Sequence, residues 1–148
     1  MSTLTDPAAR RELIARVQRL NLDAQPAWGR MNAPRMLAHC ADALRMAYGD
    51  VHCTAKRVPL VRTALVKRLM LYVLPFPKNA PTARELLSRA PGEGDAEREL
   101  VVSLIVRFEQ EMGRAVWPEH PLFGGLNERE WGRLAYKHLD HHLTQFGV

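Results

Sequence analysis

The chain has 148 residues, of which 47% are hydrophobic and 25% are charged, a composition ordinary for a soluble globular protein. We therefore expect one domain over residues 1–148, long enough to bury a hydrophobic core. The formal charge of +5 and the pI of about 9.7 permit attraction to anions. The basic residues are spread over several predicted helices, among acidic ones, and the sequence contains no motif of the kind that reads a DNA groove. We therefore expect no nucleic-acid partner.

The longest apolar stretch, residues 60–74, is interrupted by Arg62, Lys67 and Arg68. It is too short and too charged to span a bilayer, and the first residues lack a signal-peptide pattern. We therefore expect no membrane partner and a cytoplasmic location. Cys40 and Cys53 do not suggest a disulfide scaffold, and both are expected to be free thiols.

Two helices are predicted in the first third of the chain. Asp6 followed by Pro7 is typical of a helix start, and this helix should run to about Leu20 with its arginines facing solvent. Asn32 is the next candidate cap, for a second helix that should end at Gly49.

The middle of the chain predicts two further helices. One should run from about Pro59 to Leu74, followed by an extended, proline-rich connection and a short helical turn within residues 82–89. The other should begin with Asp95 as its cap. Its apolar face is predicted to carry Val101, Leu104, Ile105, Phe108 and Met112.

The last helix carries three histidines within five residues. Asn127 and Glu130 form a capping-box pattern at its start, and Gly147 offers a stop. At about 100° per residue, His138 and His142 share the inward face with the apolar side chains, and His141 lies on the margin of that face. Lys137 and Asp140 fall outside it. Two inward imidazoles one turn apart are either hydrogen-bonded core residues or two ligands of one metal ion.

His39 lies on the inward face of the second predicted helix, together with Met36, Ala43 and Met46. By itself it is either a core histidine or a ligand. Five helical segments with short links predict an all-α fold, a four-helix bundle with a short extra helical segment. Such bundles build metal sites from side chains on facing helices.

Three blocks of the sequence carry a family resemblance. They are Trp28 to Gly49 with its Met36-Leu-Ala-His39, then Pro77-Lys-Asn-Ala-Pro81, and above all the C-terminal block. That block reads His120-Pro-Leu-Phe-Gly124, Lys137-His-Leu-Asp-His-His142 and Gln145-Phe-Gly147. The chain resembles the DinB-like superfamily of metal-binding four-helix bundles, and within it an uncharacterised bacterial branch known as a domain of unknown function. The resemblance implies an up-down-down-up bundle, with a divalent metal held by His39, His138 and His142.

Three neutral imidazoles leave a metal ion with an open position for water or substrate. We therefore expect a metal-dependent enzyme, either a hydrolase or a transferase that uses a small thiol, with zinc or nickel bound and iron as a further candidate. The resemblance itself implies no particular activity. DinB-like proteins include thiol-dependent transferases and isomerases, but many have no known activity, and this sequence resembles the second group. DinB-like proteins are usually dimers, so a homodimer is expected.

Two alternatives remain open at this stage. A non-catalytic binding or structural protein could use the metal, or a hydrogen-bonded histidine cluster, to hold the bundle together. An anion or nucleic-acid binder is favoured only by the pI. No general base is assigned, although His141, Asp140, Glu130 and His120 are near in sequence. Of these, His120 before Pro121 favours a loop-fixing role, and Asp140 favours a solvated face.

Overall fold

The computed structural model describes residues 1–148 and confirms the all-α fold. Its α-helices are α1 (Pro7–Arg19), α2 (Ala33–Tyr48), α3 (Ala64–Arg68), α4 (Gly94–Glu111) and α5 (Glu128–Gln145). A single π-helical turn, Leu69–Val73, continues α3, and a 3₁₀ turn, Arg84–Leu86, precedes α4. None of the helices has the length and apolar character needed to cross a bilayer.

Side-chain caps fix the starts of the helices that carry the histidines. The Asn32 side chain accepts a hydrogen bond from the backbone N–H of Arg35 at 3.0 Å, and Gly49 ends α2 with a left-handed φ of 90°. Asn127 and Glu130 form the predicted capping box at the start of α5. These caps fix the residue at which each helix begins. The angle of each histidine about its helix axis, relative to that first residue, then follows from the local sequence.

The four long helices pack around one hydrophobic core. Helix α2 contacts α4 and α5, and α1 contacts the same two helices. All four contribute fully buried side chains, among them Leu13, Val17, Met36, Leu44, Ile105, Phe108, Leu139 and Leu143. The packing of α2 against α5 brings their histidine-bearing faces together.

Arg89 joins two buried carboxylates that come from different helices. Its Nε lies 3.2 Å from an Asp42 oxygen, and its two terminal nitrogens reach Glu97 at 2.5 and 2.9 Å. The carboxylate side chains are each 4% exposed. Hydrogen bonding to Arg89 lowers the pKa of Glu97, so the carboxylate is the form that the fold stabilises. The guanidinium thereby ties α2 to α4.

The predicted third helix is wrong in its extent and partly in its type. Residues 59–63 form turns, Leu60 has a φ of 65°, and α-helix covers only Ala64–Arg68 before the π-helical turn begins. Thr63 is the actual N-cap, since its side chain accepts from Val66 N–H. A proline at the first position is compatible with a helix but does not force one.

The start and inner face of the fourth helix also differ slightly from the prediction. Helix α4 begins at Gly94, and Asp95 lies in its first turn, where it pairs with Arg98 instead of capping the helix. Met112 lies just past the last helical residue and is 38% exposed. The helical period assumed for Met112 no longer applies there.

Several cations expected at the solvated surface are in fact buried, as Arg10 and Lys137 are, or mostly covered, as Arg16 is. Arg10 donates to the Leu4 carbonyl at 2.7 Å, and Arg16 reaches Asp140 at 2.6 Å and the Val148 carbonyl at 2.9 Å. Lys137 is only 9% exposed. Helical periodicity locates the apolar face, but it does not show which polar positions are covered by other segments.

Positive charge is concentrated in one segment, which the description of scattered basic residues missed. Residues 51–84 contain seven Lys and Arg and no Asp or Glu, whereas the other 114 residues contain 14 basic and 16 acidic ones. The net charge of +5 therefore arises entirely from residues 51–84. The expectation of no nucleic-acid partner stays a prediction.

We expect Arg89→Met to destabilise the protein by about 3 kcal/mol, because it leaves buried Glu97 without a cation and leaves Asp42 with Arg45 alone. Urea unfolding at pH 7 measures this change. Arg84→Met is the matched control, since Arg84 is exposed and its side chain makes no hydrogen bond or ion pair. Equal stability of the two variants would contradict a stabilising role for the Arg89 contacts.

Candidate metal centre

Three histidines from two helices converge at one point. His39 projects from α2, and His138 and His142 project from successive turns of α5. Their ring centroids are 4.8, 4.9 and 4.6 Å apart, and one ring nitrogen from each lies within 4.8 Å of the others. The three residues that the sequence predicts as a cluster are therefore together and could hold a metal ion.

Burial of the cluster matches the inward orientation predicted from helical periodicity. His39 is 3% exposed and His142 is 7% exposed, while His138 keeps somewhat more contact with solvent. His141 is not one of the three converging residues. Its ring lies instead against Trp28 and Phe76, with centroid distances of 5.3 and 5.0 Å.

Hydrogen bonds on the outer ring nitrogens orient two of the three imidazoles. Nδ1 of His142 lies 2.8 Å from the side-chain oxygen of Gln145, whose amide nitrogen donates to the Trp28 carbonyl at 2.5 Å. That carbonyl can only accept, so the Gln145 oxygen must face His142 and accept from Nδ1–H. The unprotonated nitrogen of His142 is then Nε2. Nδ1 of His39 lies 3.4 Å from the Leu86 carbonyl, which favours the same tautomer.

The closest contact within the cluster joins Nε2 of His39 to Nε2 of His138, at 2.9 Å. Two lone pairs cannot face each other at this distance, so one of the nitrogens carries a proton in the metal-free protein. Because Nδ1 of His39 donates to Leu86, the shared proton belongs to His138. A cation that replaced this proton would satisfy both nitrogens.

All three imidazoles are held in the neutral form. Burial lowers the pKa of His39 and lowers that of His142 to about 3. The pKa of His138 lies well below its usual value, first because of burial and then because of the neighbouring histidines. Neutral imidazoles are the form that binds metal ions, and His39 and His142 already have an unprotonated Nε2. His138 would first have to move its proton from Nε2 to Nδ1.

Gly29 allows the loop before α2 to approach the Gln145 side chain closely. Its φ is 81°, and a β-carbon at this position would lie 2.8 Å from the Gln145 amide nitrogen. That nitrogen is fixed by its bond to the Trp28 carbonyl. A side chain at residue 29 would therefore both strain the backbone and displace the group that orients His142.

Three of the four residues considered as a general base already make hydrogen bonds or ion pairs with other groups. Asp140 pairs with Arg16, Glu130 caps α5, and Nδ1 of His120 accepts from the N–H groups of Leu122 and Phe123 at 3.1 and 3.2 Å. The loop-fixing interpretation of His120 agrees with these bonds. His141 is the one candidate without a hydrogen bond or ion pair.

Cys40 and Cys53 are both free thiols, as predicted. Cys40 is adjacent to His39 in sequence but contacts the sulfur of Met36 at 3.6 Å. Burial raises the pKa of Cys40, which disfavours the thiolate that a metal would require. The group of side chains that could hold a metal ion consists of histidines alone.

The residues that orient the cluster are those that sequence reasoning missed. In the sequence, Gln145 stood out only as part of the C-terminal block that carries the family resemblance, and the Leu86 and Trp28 carbonyls carry no side-chain signal at all. Gln145 three residues after His142 was the one available indication, because i and i+3 side chains on a helix are neighbours.

Lowering the pH should destabilise the metal-free protein, because the histidines bind protons in the unfolded chain at pH values where the folded cluster stays neutral. The loss of stability should begin near the ordinary histidine pKa of about 6.5 and continue down to the lower pKa values of the folded state. Between pH 6.5 and 5, His142→Leu should reduce the slope of unfolding free energy against pH by up to about 1.4 kcal/mol per unit. Urea unfolding in the presence of a chelator measures it, and an unchanged slope would contradict a neutral buried His142.

No curated protein and no solved structure gives a significant match to the chain. One family does: the sequence model described as "Protein of unknown function (DUF1569)" matches residues 5–147. The match includes all three converging histidines and Gln145. Since it spans nearly the whole sequence, the chain belongs to the DUF1569 family of proteins of unknown function.

Proposed function

We propose that this protein binds one divalent metal ion through His39, His138 and His142, inside a four-helix bundle of the DinB-like, up-down-down-up type. Helices α1, α2, α4 and α5 would form the bundle. The observation that carries the proposal is the convergence of three ring nitrogens within 4.8 Å, from two facing helices. The tautomers inferred for His39 and His142 support it, since both leave Nε2 unprotonated.

The donor set suits zinc or nickel, and iron is a further candidate, because imidazole is a good ligand for all three. A tetrahedral zinc ion with Zn–N distances of about 2.0–2.1 Å requires ligand nitrogens about 3.3 Å apart. The His39–His138 pair is closer than this, at 2.9 Å, whereas the three nitrogens together span up to 4.8 Å, so the rings would have to separate in one pair and draw together in the others to hold the ion. The partners of Nδ1 on His39 and His142 supply the outer hydrogen bonds that histidine ligands usually make.

Three protein ligands leave a coordination position open, which favours a metal-dependent hydrolase or small-thiol transferase. A bound ion would lower the pKa of a water or thiol held there. His141 is the protein group we assign to proton transfer, since its ring centroid lies 5.1 Å from that of His142 and no ion pair occupies it. Burial lowers the pKa of His141, so it is neutral and can accept a proton at pH 7.

The alternative is a non-catalytic binding or structural protein in which a metal ion, or the hydrogen-bonded histidines alone, hold the bundle together. The 2.9 Å contact between His39 and His138 is compatible with the second form, because one shared proton satisfies both nitrogens. Turnover separates the enzyme from either form, and metal content separates a metal-bound protein from a histidine cluster alone. A homodimer, a cytoplasmic location and a small-molecule substrate remain proposals that rest on the sequence.

Metal analysis of untagged protein tests the ligand assignment. We expect one zinc or nickel ion per chain after reconstitution, and well below half of that in His39→Ala, His138→Ala and His142→Ala, because each loses a ligand. His141→Ala is the matched control and should retain the occupancy of the parent. Chelation should lower the melting temperature of the parent, because an ion bound only to the folded state stabilises it.

Other patterns of metal content would count against this assignment. Metal loss confined to His141→Ala would mean that the wrong face of α5 has been chosen. A metal-free parent, even after reconstitution, would leave the hydrogen-bonded histidine cluster as the surviving proposal. Circular dichroism of every variant shows whether a loss of metal reflects unfolding.

Gln145→Leu should weaken metal binding by about 10–100-fold, the usual effect of removing a partner of a histidine ligand. The change keeps the side-chain size but removes the acceptor that orients His142. Competition with a chromophoric chelator measures the affinity. Gln110→Leu on the exposed surface of α4 is the control for the same replacement, and equal affinity in the two variants would contradict the orienting role.

A further inference from the structure

A cavity of about 420 Å³ lies beside the histidine cluster. One wall is the face of α5 that carries His141, and the opposite wall is formed by Trp28 and by the chain from the π-helical turn to Lys78. Phe76 connects the cavity to the cluster, because its ring centroid lies 5.5 Å from that of His138. A molecule in this cavity would sit against the outer side of the proposed metal centre.

Three cations line the cavity without an acidic partner. Lys78, Arg133 and Lys137 make no ion pair, and the one acid in the lining, Asp140, is paired with Arg16 at 2.6 Å. Nζ of Lys78 lies 4.3 Å from the centre of the Trp28 ring. The lining therefore carries positive charge that the protein does not neutralise, and an anion is the complementary ligand.

Two of the three cations are held in place by the backbone around them. Lys137 donates to the Met70 carbonyl at 2.5 Å and also to the Leu74 carbonyl, while Nε of Arg133 donates to the Leu71 carbonyl at 3.1 Å. These bonds fix the charges but cannot cancel them, because a carbonyl is neutral. Lys78 is exposed and donates no hydrogen bond, so it is the cation free to close on a ligand.

Aromatic groups give the cavity a flat, apolar component. Trp28 and Phe76 both lie close to His141, with ring centroids 5.3 and 5.0 Å from it. The indole N–H of Trp28 is buried and has no hydrogen-bond partner. Such walls suit a planar group, which can stack on the aromatic rings.

The charge distribution of the whole chain favours the same kind of ligand. Phe76 and Lys78 belong to residues 51–84, the segment with seven basic and no acidic residues. A concentration of one sign of charge around a cleft raises the local concentration of oppositely charged small molecules.

We propose that the cavity between Trp28, Phe76 and Lys78 binds a small organic anion with a planar apolar part, of the arylcarboxylate class, next to the proposed metal centre. Lys78 would face the carboxylate, Arg133 and Lys137 would add positive charge to the lining, and Trp28 and Phe76 would contact the planar part. As a statement about substrate class this rests on the proposed metal-dependent function. The cavity itself is formed without the metal, so the two can be tested apart.

Fluorine NMR with two matched probes tests the proposal. The probes are 4-fluorobenzoate and its neutral counterpart 4-fluorobenzamide, each titrated into full-length protein in a chelator. We expect the benzoate to bind about tenfold more tightly, because a hydrogen bond to a charged group contributes more than one to a neutral group. Equal binding of the two probes, or no binding of benzoate, would overturn the proposal.

Variants locate the bound probe. Lys78→Gln should raise the dissociation constant of benzoate about threefold to fivefold, the effect of losing one exposed charge contact. Phe76→Leu should weaken both probes, because it removes a stacking surface. Arg57→Gln is the control, an exposed cation in the same basic segment but outside the cavity lining, and should change binding less than twofold. An equal effect of Lys78→Gln and Arg57→Gln would show only general attraction by the basic segment and would reject the site.

The same titration separates this proposal from the metal proposal. Binding of benzoate in chelator by a protein that takes up no zinc or nickel would retain the cavity and reject the metal-dependent function. A protein that takes up zinc or nickel but does not bind benzoate in the presence of a chelator would retain the metal site and reject the cavity proposal. Binding that occurs only with metal present would mean that the ion itself holds the carboxylate, which would also overturn the cavity proposal.

Discussion

The structure depends on the removal of three imidazoles from water between α2 and α5. A buried imidazole is held neutral, and each of its nitrogens then needs a partner of the right kind. The helices supply the rings but not all the partners. The Leu86 carbonyl of the 3₁₀ turn is a partner from outside the helices, and Gln145, the last residue of α5, is itself held by the Trp28 carbonyl in the loop before α2. The 3₁₀ turn and the loop before α2 are therefore held in place partly by the hydrogen bonds that the buried histidines need.

The outer surface of α5 shows a related constraint. Arg133 and Lys137 point into the carbonyl groups at the end of the π-helical turn, where the last backbone acceptors of a helix would otherwise lack donors. Cation-to-carbonyl bonds thus attach the π-helical turn to α5, in addition to the packing of the buried Leu71 in the core. This attachment places Phe76 against His138 and leaves two charges at the cavity wall.

Much of the cluster could be predicted because it rests on local regularities. Asn127 and Gly49 mark helix ends through their own chemistry, and the spacing of His138 and His142 places both rings on one face regardless of the rest of the fold. His39 needed only the apolar pattern of α2. These arguments require no knowledge of how the helices are arranged.

What could not be predicted depends on segments distant in sequence. The burial of Lys137 and Arg16 follows from which chains lie over them, and helical periodicity contains no such information. The π-helical turn replaces the end of a predicted α-helix, because its carbonyls find donors on α5. The role of Gln145 emerges only when the Trp28 carbonyl fixes which way its amide faces.

Gly29 shows how far the tolerance of a site can extend beyond the residues that form it. The space for a β-carbon at this loop position is taken by the Gln145 amide, 2.8 Å away. Even an alanine there would displace that amide, and His142 would lose the acceptor that keeps its proton on Nδ1. The proton could then occupy either ring nitrogen, so a steric change in a loop would become a tautomeric change in the core. Selection on the histidine cluster would accordingly act on a residue that has no side chain.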